Sequence, residues 1–286
     1  MTRRRRGIAL SSFTIGALGS VASAAILSRR PPGGLEQWTR KNHAGDPVTL
    51  IEGPAYAVGA VAGALAGGAG GPAALAGLGA AALGALDDLA GDSSTKGLRG
   101  HLRAACRGEV TTGAIKVLGL GATGLLSARM IDRSRGSSNV MATLAGGAVI
   151  AGLANLANLL DLRPGRALKV VLLLAAPTVA GGRGTHLATA TAAAAAGAAI
   201  GALPDDLAGR SMLGDTGANS AGALLGTALV ARTGPRGRLL ALAVVSALTL
   251  ASEKVSFTKV IESTPGLREL DALGRPRWSS PTISPK

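Results

Sequence analysis

The sequence predicts an all-α, polytopic membrane protein with about nine transmembrane helices, and three observations carry that. Mean hydropathy is +0.36, with hydrophobic residues at 47%. Apolar runs of roughly 18 to 22 residues recur along the chain, the length that crosses a bilayer as helix. These runs are continuous in Ala, Leu, Val and Gly and do not alternate with polar residues, so they point to helices and not to a barrel.

Taken in order, the spans are expected at 7–28, 51–69, 72–88, 113–128, 139–160, 167–182, 186–204, 217–232 and 238–252. They form one transmembrane domain over 1–252, followed by a basic cytoplasmic tail over 253–286. The first run follows four arginines at 3–6 and reaches Ala22-Ser23-Ala24, which also has the form of a cleaved signal peptide. A retained first helix suits a polytopic chain better. Aromatics make up only 2% of the chain, so helices must pack through Ala and Gly by close backbone approach. Gly59, Gly63 and Gly67, four residues apart, mark such a packing face.

The net charge of +14 would suggest nucleic acid in a soluble protein. Here the basic residues lie mostly between spans, where anionic headgroups are the cheaper partner, so no nucleic-acid partner is expected. Putting the acidic span ends in the cytoplasm places the larger share of the 30 Lys and Arg there too, although residues 3–6 then fall outside. The single cysteine, Cys106, excludes an intrachain disulfide and a cysteine metal cage.

Three segments bring carboxylates to the ends of apolar runs, where an acid is costly and points to function. Asp87-Asp88-Leu89-Ala90-Gly91-Asp92 ends the third span. Two adjacent acids there can bind a hard divalent cation, or one can act as base while the other orients it. An Asp-Asp pair is more often a solvated helix end, but Lys96, Arg99, His101, Arg103 and Arg107 follow at once and suit a metal bridged to phosphate. Asn155, Asn158 and Asp161 share one helix face, which interhelical hydrogen bonding by the asparagines would also explain. Gly214-Asp215-Thr216-Gly217 opens the eighth span. Free backbone N–H groups at a helix start attract phosphate and an Asp there can hold Mg²⁺, although the segment taken alone reads as an N-cap turn. The stretch Gly84-Ala85-Leu86-Asp87-Asp88-Leu89-Ala90-Gly91 also recurs as Gly201-Ala202-Leu203-Pro204-Asp205-Asp206-Leu207-Ala208-Gly209. Four spans separate the copies, so both are expected on one side, by parallel duplication or by chance in an Ala/Gly/Leu-rich chain.

In combination these segments resemble the polyprenyl-phosphate N-acetylaminosugar-1-phosphate transferases, the family of phospho-N-acetylmuramoyl-pentapeptide transferase and its relatives. The family pattern is an Asp-Asp pair after the third span followed by Lys-Gly-Leu. An Asn-x-x-Asn-x-x-Asp-Gly-x-Asp-Gly segment closes its fifth span, and Gly-Asp-x-Gly-Ser opens its eighth. Asp87-Asp88, Lys96-Gly97-Leu98, Asn155 through Asn158 to Asp161, and Gly214-Asp215-Thr216-Gly217 match in order and spacing. Lys116 looks like the family's lysine before the fourth span, and 40–53, with Pro47 and Gly53, like its first cytoplasmic loop. The resemblance covers most of 40–232. It departs at Leu162-Arg163-Pro164-Gly165, where Pro164 takes the place of the second acid, and at Ala218, where the family has Ser. No His follows His186, although the family's last loop is His-rich, and a tenth span is missing.

The resemblance implies transfer of a sugar-1-phosphate from a UDP-sugar to a polyprenyl phosphate at the cytoplasmic face of the plasma membrane, for cell-envelope polymer synthesis. It implies Asp215 as principal Mg²⁺ ligand and Asp87, supported by Asp88, as the group that deprotonates or orients the lipid phosphate. Asp161 and Asn158 would line the nucleotide or metal site, Lys96 and Lys116 would contact phosphate or uracil, and Gly214 and Thr216 would bind substrate. Two alternatives stay open: a catalytically altered relative that binds a polyprenyl lipid or an envelope-synthesis partner, and a transporter, which the span-end position of the acids disfavours. A homodimer stays open as an assembly.

Overall fold

Long runs of Ala, Leu, Val and Gly are helices in the computed structural model, and two of these helices continue past an internal proline, Pro177 and Pro204. The structure describes residues 2–42, 45–90, 112–181 and 184–276. Its long helices are α1 (Arg3–Arg29), α3 (Glu52–Ala66), α4 (Gly70–Ala90), α5 (Thr112–Ser134), α6 (Val140–Leu160), α7 (Arg166–Ala180), α8 (His186–Leu207), α9 (Gly214–Arg232) and α10 (Pro235–Ser252). A helix therefore stands at each place where a span was expected. Five of them, α1, α4, α5, α6 and α8, are long and apolar enough to cross a membrane, by length and composition. A sixth candidate is α10 taken with α11 (Phe257–Ser263), a pair bent by 92°. At 15 residues each, α3 and α7 are shorter than a straight crossing requires.

Helices successive in the chain alternate in direction, so their ends fall at two levels. α9 lies at the centre against α3, α4, α6, α7 and α8, and nearly every residue along it is buried. Because α9 is enclosed on all sides, its side chains are mostly small: Gly, Ala, Ser and Thr alternate with a few Leu. α8 contributes the buried run Ala192 to Ala196 to the same core. The outer faces of α1, α5 and α10 stay apolar, with Leu10, Leu118 and Leu240 each about two-thirds exposed or more. Helices that are apolar on both their packed and their open faces suit a lipid surround and not water.

The glycine face lies where close approach requires it. A Cβ built at Gly59 would lie 2.7 Å from the Gly16 carbonyl oxygen and 2.7 Å from the Ser20 Cα, so α3 and α1 touch backbone to backbone. Gly59→Val is expected to cost about 1–3 kcal/mol through overpacking. Gly121→Ala on α5, where a Cβ would meet nothing within 4 Å, is its control. Thermal unfolding in detergent should show a lowered midpoint for the first and none for the second; equal midpoints would contradict the packing.

One small sheet serves the site. Strand β1 (Thr39–Lys41), reached from the short helix α2 (Leu35–Trp38), pairs antiparallel with β2 (Pro47–Thr49). β2 is also tied to the chain before α9, because Thr49 N donates to Arg210 O at 3.2 Å and Met212 N to Thr49 O at 3.0 Å. Trp38, Leu50 and Ile51 form the buried cluster beneath it. The hairpin thereby holds Arg40 and Lys41 over the end of the bundle where α4, α6 and α8 finish and α5, α7 and α9 begin.

Candidate functional site

The start of α9 is the centre of this end. Gly214 has φ 59°, in the left-handed region, and a Cβ on it would meet the Asp88 Oδ2 at 3.0 Å. Glycine satisfies both demands. Its N–H donates to Asp161 Oδ2 at 2.9 Å. Asp88, in the last turn of α4, then takes the next two N–H groups: Oδ1 accepts from Asp215 N at 3.1 Å and Oδ2 from Thr216 N at 2.9 Å. Thr216 Oγ1 donates to Asp88 Oδ2 as well, at 2.6 Å. Three free donors of one helix start are thus capped by acids from two other helices, and negative charge at that end is favoured by the helix dipole. Arg40 in turn donates to the Asp88 carbonyl oxygen, which fixes the hairpin to the end of α4.

Asp87 and the Asp215 side chain take a different partner. Lys116, in the first turn of α5, reaches Asp87 Oδ2 at 3.1 Å and is ion-paired with Asp215 Oδ2. All three side chains are at least partly buried. Asp87, Asp88, Asp161, Lys116, Gly214, Asp215 and Thr216, drawn from four helix ends, therefore meet at one place. Asn158 lies one turn before Asp161 on α6, half-buried, and its carbonyl accepts from Asp161 N at 3.1 Å. Lys96 lies outside the described residues.

Burial pushes the Asp161 carboxyl well above the ordinary carboxylate range, and the nearby Asp206 charge pushes it further. Asp161 is 6% exposed and also lines a cavity of about 400 Å³, with Asp206, Lys41, Arg163, Pro164 and Arg275. Two acids and three cations from four segments surround a space that suits a polar, anionic small molecule.

Sequence reasoning missed several of these groups. Arg40 sits in strand β1 and Glu52 at the first position of α3. Asp205 and Asp206 were visible only as the echo of Asp87 and Asp88, and both copies do end helices at the same end of the bundle. In each copy the first acid pairs with a cation, Asp87 with Lys116 and Asp205 with Arg210. The segment after Ser252 is also more than a tail. It bends into α11 and α12 (Leu267–Ala272) and returns to the site. Arg166 donates to Asp271 from Nε at 2.7 Å and from Nη2 at 3.0 Å, and Arg275 Nε donates to the Pro164 carbonyl at 2.7 Å. Position 164, where the resembled family has an acid, thus offers a carbonyl that is already engaged.

Burial pushes the Asp271 carboxyl up, but the hydrogen bonds and charge of Arg166, joined by Arg275, outweigh it and hold the group below its usual range. A depressed carboxylate contributes stability that is complete above its unfolded value, about 3.9, and lost as pH falls through the lower folded value. Hydrogen exchange over 257–276 should therefore stay protected down to about pH 4 and open below it. Asp271→Asn should open the segment at neutral pH; protection that is unchanged in that variant would rule out the clamp.

Among the described residues no group of three or more His, Cys, Asp or Glu is placed to hold a metal ion by itself. Mg²⁺ commonly takes one or two carboxylates and completes its shell with water and substrate phosphate. Asp87 and Asp215 offer such a pair, bridged here by the Lys116 ammonium. No family model matches the chain, and no curated protein matches it.

Proposed function

We propose that this protein transfers a sugar-1-phosphate from a UDP-sugar to a polyprenyl phosphate at one face of the plasma membrane. The observation that carries the proposal is the meeting of Asp87, Asp215 and Lys116, with Asp88 and Asp161 on the backbone of the same helix start. These residues come from segments as far apart as 87 and 216, and ionisable groups gathered at one membrane edge point to a functional site.

In this reading Asp87 orients or deprotonates the lipid phosphate. A lipid phosphate oxygen forms a bond to the β-phosphorus of the donor, the bond from that phosphorus to the bridging oxygen breaks, and UMP leaves with the electron pair. Mg²⁺ held by Asp215 and Asp87 would offset the charge of the diphosphate. Lys116 supplies positive charge between the two acids, and Lys96, outside the described residues, would add to it. Thr216 and the Gly214 backbone are held in place by Asp88 and Asp161, so the start of α9 is rigid when the donor arrives. Asp161 and Asn158 lead from this point to the cavity bearing Lys41, Arg163 and Arg275, where the nucleotide is accommodated.

A second reading has one specific observation in its favour. Pro164 supplies no carboxylate, and its carbonyl is taken by Arg275, which suits a relative that binds a polyprenyl lipid without turning it over. Incubating the purified chain with undecaprenyl or decaprenyl phosphate, Mg²⁺ and a panel of UDP-sugars separates the two. UMP release supports the transferase; lipid binding with no UMP from any donor supports the binding protein.

A further inference from the structure

A second cavity, of about 390 Å³, lies on the other side of the α3 N-terminus, between α1, α3 and α8. Its floor holds Glu52. This side chain is 5% exposed, its Oε2 accepts from Ser211 Oγ, and its Oε1 has no hydrogen-bond partner among the described residues. No cation pairs with it among the described residues either. A buried carboxylate with one orphaned oxygen is costly, and at a membrane edge it points to a missing partner that carries N–H groups and positive charge.

The walls say what kind of molecule brings that group. On α1 the cavity runs from Ser28 to Ser20, about 12 Å along the helix axis, past Val21 and Ala25, both exposed on the outer side of the bundle. Such a wall suits an acyl chain. At the mouth lie Arg210 and Asp205, paired with one another and each more than half exposed. An arginine there can take a phosphate, while Glu52 deeper in takes an ammonium. A quaternary ammonium has no N–H to give to Oε1, and an uncharged or anionic headgroup leaves the carboxylate uncompensated.

We propose that this cavity binds a membrane phospholipid whose headgroup carries a primary ammonium beside its phosphate, with the ammonium on Glu52, the phosphate at Arg210 and one chain along α1. The site is separate from the Asp87–Asp215 cleft and does not depend on the reaction assigned to it.

The test is native mass spectrometry of the full chain in detergent, titrated separately with dioleoyl phosphatidylethanolamine, phosphatidylcholine and phosphatidylglycerol. Wild type should bind the ethanolamine lipid about tenfold more tightly than the other two. Glu52→Gln should remove that preference and leave the other two affinities unchanged. Equal binding of the three lipids by wild type, or a preference that survives Glu52→Gln, overturns the proposal. Should Glu52→Gln not fold, Ala25→Trp on the open side of α1 decides, because it fills the cavity without entering the core. Loss of the preference supports the site, and its retention overturns it.

Discussion

Asp215→Asn is expected to lower UMP release about a hundredfold or more while leaving the fold intact. The substitution keeps the size of the side chain and removes its charge. Losing one of two carboxylates leaves the diphosphate charge poorly offset in the transition state, and a loss of about 3 kcal/mol or more is the scale of such a deletion. The fold is protected because Asp88 holds the backbone N–H groups of residues 215 and 216, not the Asp215 side chain. Melting temperature should therefore stay close to wild type while turnover falls, and the two measurements separate chemistry from folding. Should Asp215→Asn keep full biological function in cells at normal protein levels, transfer through this site is wrong, and the lipid-binding reading takes first place.

Much of this arrangement was legible in the sequence because it depends on periodicity and position. An apolar run bounded by charge becomes a helix wherever it lies, so each expected span has its helix. Asp87, Asp161 and Asp215 were visible because acids at the ends of such runs are conspicuous. The number of true crossings was less legible. α3 and α7 are 15 residues each, and among the described residues length and composition alone mark five or six crossings. Groups that reach the site through tertiary contact were hidden. Glu52 looks like an ordinary first-turn acid until Ser211 is placed against it. Asp271 looks like a surface residue of a basic tail, and only its contact with Arg166, 105 positions away, shows it to be an anchor. Asp132, in the charged stretch after the expected span 113–128 and close to Arg129, Arg133 and Arg135, gave no hint of which arginine it pairs with.

That partner is Arg238, and breaking the pair should produce the largest loss of stability in this chain. Asp132 on α5 meets Arg238 on α10 in a two-pronged ion pair, Nη2 to Oδ1 at 2.7 Å and Nη1 to Oδ2 at 2.8 Å. Thr143 of α6 donates its hydroxyl to Asp132 Oδ2 at 2.6 Å, and Arg238 also donates to the Ala142 carbonyl at 3.0 Å. Both charged side chains are buried, at 2% and 3% exposure. Asp132→Ala would leave a guanidinium without its counter-charge inside the bundle, at a cost of about 3–5 kcal/mol. Replacing both residues by apolar ones, Asp132→Leu with Arg238→Met, should recover most of that loss, because it removes two desolvated charges together. The pair lies at the far end of α5 from Lys116, about 24 Å along the helix, so whatever protein folds should retain its activity per molecule. Thermal unfolding of Asp132→Ala, of Arg238→Met alone and of the double variant tests this. A single variant as stable as wild type would mean that the pair does not hold α5, α6 and α10 together.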